Sequence, residues 1–215
     1  RFKSITMMLP PEERLDNVCF NDKTRLCKVL TQQYDEIEIT CCKRNGRKRA
    51  LKLMKHHRND VNALDFQTAT IYFVIKLTSP VTNITKLVLQ DVTKKVTHPH
   101  DKIKVDFPNL NYLAAFNSSD FLVHIGEHKI NHCSFEDATN IFIINKFLET
   151  CPLVVSLSLY DTLPTYDVDI HTYKLKYLYM DNQTNPRSFR IEKFLKPHRE
   201  SLKEFNLEDC NFEFT

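Results

Sequence analysis

One spacing of apolar residues recurs along this chain and limits the folds that it can adopt. It is clearest near the end, in Leu202, Phe205, Leu207, Cys210 and Phe212, at positions 1, 4, 6, 9 and 11 of one segment. Apolar residues at positions 1, 4 and 6 recur upstream in segments that begin at Tyr34, Val61, Ile84, Leu110, Val154 and Leu175. The segments start 27, 23, 26, 44, 21 and 27 residues apart, counting the last step to Leu202. Such a repeat predicts one structural unit per segment, stacked on its neighbours.

The spacing matches the template of leucine-rich repeats, in which a unit of roughly 20–29 residues contains one strand. We interpret the step of 44 residues as two repeats with a degenerate strand at Ile130–Phe135 between them. Apolar residues at helical spacing predict helices at 47–57, 138–151 and 188–195, and Pro152 and Pro197 follow the last two. The expected fold is therefore α/β: a leucine-rich-repeat solenoid with parallel strands on its concave side, helices on its convex side and a short N-terminal helical segment.

The first residues differ from the repeats and carry a second resemblance. Pro11-Glu12-Glu13-Arg14-Leu15, followed by Val18-Cys19, resembles the second half of an F-box, although Phe20-Asn21 stands where Lys/Arg-Trp is usual. Because repeats follow at once, the chain resembles the F-box/leucine-rich-repeat family. Residues 1–30 are expected to be a helical cap or the C-terminal part of an F-box. Residues 31–215 are expected to be a leucine-rich-repeat domain of about seven to eight irregular repeats, truncated at the C-terminus.

The resemblance implies a function in protein recognition. Members of this family are substrate receptors of SCF-type cullin-RING ubiquitin ligases. The N-terminal segment would bind the ligase adaptor if the F-box is completed upstream of Arg1, and the concave face would bind a protein substrate. Transfer chemistry belongs to other subunits, so we expect no enzyme activity, no catalytic residues and no cofactor. One alternative is a leucine-rich-repeat adaptor unrelated to ubiquitin.

The amino-acid composition limits the cellular compartments and the classes of partner that we expect. The seven cysteines form no C-x-x-C pair, and their odd number favours a reducing compartment, cytoplasmic and/or nuclear. The only glycines, Gly46 and Gly126, exclude glycine-rich phosphate loops. No apolar run is long enough for a membrane span, so we expect no membrane association. A net charge of +3 is too small to indicate nucleic acid as a partner.

A histidine-rich segment provides the second alternative, a zinc-dependent hydrolase. His124-Ile-Gly-Glu127-His128 matches H-x-x-E-H, the order found in inverted zinc peptidases, and His132 follows at the same four-residue step. On a helix, His124, His128 and His132 would share one face and could hold zinc. Gly126 in the middle weakens that helix, so the metal site remains an alternative to the binding function.

Strand alternation locates the expected binding site. If positions 1, 4 and 6 of each repeat face the core, positions 3, 5 and 7 face the concave side. Aromatic side chains at such positions are typical binding anchors, because they bury a large area at low entropic cost. The predicted partner-binding residues are Tyr112, Phe116, Tyr160, Tyr177, Tyr179 and Asp181.

Overall fold

A sheet of nine parallel strands organises the molecule. The computed structural model describes residues 4–7, 36–40, 51, 54–55, 58–59, 61–79, 81, 83–93, 103–136, 141–161, 174–181 and 195–210. The strands of the sheet are β1 (Ser4–Met7), β2 (Glu36–Thr40), β3 (Ala63–Gln67), β4 (Lys86–Gln90), β6 (Tyr112–Phe116), β8 (His132–Glu136), β9 (Ser156–Tyr160), β10 (Tyr177–Asp181) and β11 (Glu204–Glu208). Their order in the sheet follows their order in the chain.

The strand positions predicted from the repeat are confirmed. In all eight segments, including the degenerate one at Ile130, the strand begins two residues after the first repeat position. Neighbouring strands pair residue for residue, so that Leu87 of β4 lies opposite Leu64 of β3 and Leu113 of β6. The same strand position therefore forms a continuous row across the sheet.

The hydrophobic core covers one face of the sheet. The second and fourth residues of each strand point into it, and from β3 to β10 none of them is more than 3% exposed. They are Leu64, Phe66, Leu87, Leu89, Leu113, Ala115, Cys133, Phe135, Leu157, Leu159, Leu178 and Met180. Burying each large apolar side chain contributes about 1.5–3 kcal/mol. In β11 the equivalent Phe205 and Leu207 are only half-buried.

Among the elements whose bounds the structure describes, two α-helices pack on this core. Helix α1 (Ile71–Thr78) buries Phe73, Val74 and Leu77, and the Thr78 hydroxyl donates to the Val74 carbonyl at 2.9 Å. Its β-branched and aromatic residues are typical of strands, and the helical spacing in the sequence set no bounds for a helix here. Helix α2 (Ile141–Leu148) lies within the helix predicted at 138–151, which is thus confirmed over its central part. Neither helix is long and apolar enough to cross a membrane, nor is any other within the described ranges.

The leucine-rich-repeat solenoid expected from the sequence is wrong. It required a helix after each strand, whereas the described residues form a mostly parallel sheet with few helices. Between β6 and β8, for example, the chain forms a 3₁₀ helix (Ser119–His124) and the short strand β7 (Ile125–His128). Strand β7 pairs with β5 (Val105–Phe107) in a second, two-stranded parallel sheet. The segment between β6 and β8 is too short to contain an α-helix in addition to the 3₁₀ helix and β7.

The remaining expectations for helices fall largely outside the described residues. Leu51, Met54 and Lys55 are helical, in agreement with the helix predicted at 47–57, and Leu195 alone represents the one predicted at 188–195. Within the expected N-terminal helical segment, β1 is a strand that pairs with β2. Residues 8–35, including the F-box-like sequence, lie outside the described part of the chain.

Among the described residues, sharp turns follow five strands of the sheet. Thr68, Asp91, Asn117, Asp161 and Asp209 come directly after β3, β4, β6, β9 and β11, and their φ angles lie between 44° and 53°. Asp and Asn tolerate this left-handed conformation better than other non-glycine residues. The turn amides extend the ladder beyond the strands, as in the 2.8 Å bond from Thr68 N to the Gln90 carbonyl. The turns thus end neighbouring strands along one common line.

Candidate binding surface

The second face of the sheet is open to solvent from β3 to β11. We call it the open face: the first, third and fifth residues of each of these strands, which alternate with the core residues. Most of these side chains are half-buried or exposed, as the patterns of β4, β9, β10 and β11 show. No element within the described residues covers these strands from that side, so the open face can receive a partner.

The predicted binding residues all lie on the open face. Tyr112 and Phe116 belong to β6, Tyr160 to β9, and Tyr177, Tyr179 and Asp181 to β10. The Phe116 and Tyr160 rings meet edge to face across β8, with centroids 6.2 Å apart. The Tyr160 and Tyr179 rings are 5.4 Å apart. These three rings form a continuous series from β6 to β10, which we call the aromatic ladder.

Tyr177 and Tyr112 flank the aromatic ladder at the beginning of their strands. Tyr177 is 41% exposed, the most exposed tyrosine of the open face. The Lys86 ammonium of the neighbouring β4 lies 5.9 Å from the centroid of the Tyr112 ring, a distance at which a cation is attracted to the ring face. The open face therefore already places one cation against one of its aromatic rings.

Carboxylates lie among the aromatic rings along the row of the open face that the fifth residue of each strand forms. In this row Phe116, Glu136 and Tyr160 are successive partners across β6, β8 and β9. Asp181 and Glu208 continue the row on β10 and β11. We call these five residues the mixed row. Cations are favoured by ring faces as well as by carboxylates, so the mixed row provides two kinds of cation-binding group side by side.

Hydrogen bonds and charge hold two of the tyrosines protonated. The Tyr179 hydroxyl donates to Glu208 Oε2 at 2.5 Å, and this bond raises the pKa of the phenol above its usual range. Partial burial raises the pKa of Tyr160, and the nearby Tyr112, Asp181 and Glu136 add to the effect. Both rings thus remain neutral at physiological pH.

The open face is acidic although the whole chain is basic. From β3 to β11 it carries five carboxylates and one lysine, a formal charge of −4. They are Asp65, Glu136, Asp181, Glu204, Glu208 and Lys86. The chain as a whole has a net charge of +3. Electrostatic steering therefore favours a positively charged partner at this face.

Small side chains line the middle of the open face. Ala114 of β6 and Ser134 of β8 are buried, and Ser158 of β9 is half-buried in the same row. Larger side chains stand on either side of them at the first and fifth strand positions, except for Ser156 at the start of β9. The central row is thus a shallow trough about three strands wide, or on the order of 10 Å at the usual strand spacing.

The predicted site leaves out the open-face residues of β8. His132 and Glu136 are exposed at its two ends, with Ser134 between them on the open face. The repeat template located this strand as a degenerate segment, but its open-face positions were not included in the predicted site. Applying the same alternation to Ile130–Phe135 would have found Glu136.

The structure does not support the zinc alternative. His124 ends a 3₁₀ helix and is buried, where its Nδ1–H donates to the Ile103 carbonyl at 2.8 Å. His128 lies on β7 and His132 on β8, so the helix that would align the three side chains is absent. Within the described residues, no group of three His, Cys, Asp or Glu side chains could hold a metal ion.

Comparisons with known proteins do not assign the chain to a family. Comparison of the chain with protein-family models, with curated proteins and with solved structures found no match. A functional assignment therefore depends on the residues of the open face themselves.

Proposed function

We propose that this chain is a protein-binding module whose open face, between β6 and β11, receives a positively charged segment of a partner protein. The observation that carries the proposal is the aromatic ladder beside the carboxylates of the mixed row: Phe116, Tyr160 and Tyr179 lie in ring contact beside Glu136 and Glu208. The aromatic rings would supply buried area, and the carboxylates would pair with Lys or Arg side chains of the partner.

The aromatic ladder is suited to binding because its rings are already ordered. Each ring is in contact with the next one, and the Tyr179 hydroxyl is fixed by Glu208. A partner therefore binds without ordering these side chains, each of which would otherwise cost about 0.5–1.5 kcal/mol. The negative charge of the open face adds an attraction that weakens with salt.

A display library of random short peptides, selected on the purified chain at low salt, tests the proposal. We expect the selected peptides to be enriched in Arg and Lys and to bind more weakly as salt increases. Replacing both Tyr160 and Tyr179 by alanine should weaken their binding by about 2 kcal/mol or more, roughly thirtyfold in Kd. The matched control is Tyr72→Ala, which removes a 47% exposed tyrosine from α1, away from the open face.

Circular dichroism must show that the double variant is folded. Loss of the Tyr160–Tyr179 ring contact should cost only about 0.5–1.5 kcal/mol of stability beyond the area lost. Peptides that bind the double variant as tightly as the wild type, or that show no enrichment in basic residues, would refute the proposal.

A more specific assignment is that the partner is a substrate of a cullin-RING ubiquitin ligase. It is supported by the F-box-like sequence Pro11–Leu15 with Val18 and Cys19. The test is whether the natural full-length protein co-purifies with the ligase adaptor and a cullin. A protein that binds selected peptides through Tyr160 and Tyr179, but not the adaptor, would be a binding module outside the ubiquitin system.

A further inference from the structure

A cavity opens on the side of the sheet opposite the open face. It lies between the 3₁₀ helix, β7 and α2, and its volume is about 390 Å³. Sites for small molecules usually have volumes of roughly 300–1,000 Å³. Phe147 of α2 meets Phe135 of β8 in the core, with ring centroids 6.2 Å apart, so α2 packs on the covered face of the sheet. The sheet therefore separates this cavity from the open face.

Apolar side chains form most of the cavity wall. They come from the 3₁₀ helix, β7 and α2, and they are Leu122, Val123, Ile125, Phe142, Ile143 and Phe147. Val123 is 50% exposed and Phe142 is 74% exposed, so both present apolar surface to water beside the cavity. A ligand with an apolar body would remove this surface from water, which is the main driving force for such binding.

One side of α2 supplies both the apolar and the charged part of this wall. Phe142 and Lys146 are four residues apart, as are Ile143 and Phe147, so these side chains lie along neighbouring rows of the helix surface. Ile144 lies further round the helix and is fully buried in the core. Because Phe142 is mostly exposed, its ring contributes little to the core and is available to a ligand.

Two lysines give the cavity a positive charge. Lys104, just before β5, and Lys146 of α2 are both exposed and line the wall, whereas the Thr150 hydroxyl already donates to the Phe147 carbonyl at 2.6 Å. None of the nine described residues that line the cavity is acidic, so two lysines give it a formal charge of +2. Neither lysine forms an ion pair within the described part of the chain. Charge complementarity therefore favours an anionic ligand.

We propose that this cavity binds a small carboxylate with an apolar body, such as a medium-chain fatty acid. The apolar wall covers the body of the ligand and supplies most of the affinity. Lys104 and Lys146 pair with the carboxylate, and because both are exposed these ion pairs stay partly hydrated. The lysines therefore select the charge of the ligand, and the wall selects its length. The site is separate from the open face and does not depend on the function proposed for it.

Isothermal titration calorimetry of the full chain with decanoate, below its micelle-forming concentration, tests the proposal. We expect saturable binding at one site, with a Kd that decreases by up to about fourfold for each methylene added between hexanoate and decanoate. Decan-1-ol keeps the chain without the charge and should bind roughly fivefold more weakly than decanoate. Acetate keeps the charge without the chain and should show no saturable binding. Absence of saturable decanoate binding, or equal affinity for decanoate and decan-1-ol, would overturn the proposal.

Variants at the wall locate the ligand. Lys104→Gln combined with Lys146→Gln should weaken decanoate binding roughly fivefold and leave that of decan-1-ol unchanged. The matched control combines Lys76→Gln and Lys203→Gln, which remove the same charge from exposed positions outside the cavity. Phe142→Ser, at a mostly exposed position, should weaken the binding of both compounds. If the two lysine pairs have equal effects, or if Phe142→Ser binds decanoate as tightly as the wild type, the ligand does not occupy this cavity and the proposal is wrong.

Discussion

Ser118 provides a stability prediction that follows from two hydrogen bonds. Its hydroxyl accepts a bond from the Val92 amide at 2.9 Å and donates to the Phe116 carbonyl at 2.7 Å. Ser118 and Val92 are each only 1% exposed. In Ser118→Ala the Val92 amide would therefore remain in the interior without this partner and without water. Leaving a buried donor unsatisfied costs about 1–3 kcal/mol.

The Phe116 carbonyl should add little to that cost. It also accepts a bond from the Asp91 amide at 3.0 Å, so it keeps one partner after the substitution. We therefore expect Ser118→Ala to lower the free energy of unfolding by about 1–3 kcal/mol, almost all of it from the Val92 amide.

Urea denaturation followed by circular dichroism measures this change, with an unchanged m-value as evidence that both variants unfold in the same way. The control is Ser156→Ala, which removes the same atom from a half-buried position on the open face and should change stability by less than about 0.5 kcal/mol. If Ser118→Ala costs no more than Ser156→Ala, the bridging role assigned to the Ser118 hydroxyl is wrong.

Two further predictions concern a strained turn and an ionisable core residue. Thr68 is a β-branched residue in the left-handed region, at a φ of 53°. Thr68→Asn should therefore raise the free energy of unfolding by about 0.5–1 kcal/mol, which thermal melting measures. An unchanged or lower melting temperature would contradict the backbone strain at this residue. The pKa of the Cys151 thiol in the folded state is about 6, against an ordinary value of 9.0. Ionisation of this thiol therefore stabilises the folded state fully above pH 9, and this stabilisation is lost as the pH falls through 6. The stability of the wild type relative to Cys151→Ala should therefore increase between pH 6 and 9, by at most about 1.4 kcal/mol per pH unit, and a pH-independent difference would contradict the lowered pKa.

The strands could be predicted from the sequence because their burial follows a fixed period. A strand covered on one face must place apolar residues at alternate positions, and Leu87 and Leu89 do so at the same place in their segment as Leu157 and Leu159. The same periodicity in the sequence identifies Tyr160 and Tyr179 as open-face residues.

The segments that connect the strands could not be predicted from a periodic pattern of burial. Their structure depends on local fit, as at Gly126, where a Cβ atom would collide with the Asp106 carboxylate of the neighbouring strand. That carboxylate accepts a bond from the Glu127 amide at 2.8 Å, so the segment read as a possible zinc-binding helix is extended instead.

The pairing of strands in chain order has a consequence for folding. Each pairing in the nine-stranded sheet closes a loop of 20 to 32 residues, from Tyr112–His132 to Ser4–Glu36. Closure entropy grows only with the logarithm of loop length, so the shortest and longest of these loops differ by about 0.4 kcal/mol. No pairing must wait for a distant part of the chain, and each completed strand offers an edge to the next one. The sheet can therefore grow outward in both directions from whichever pair of strands first buries enough apolar surface.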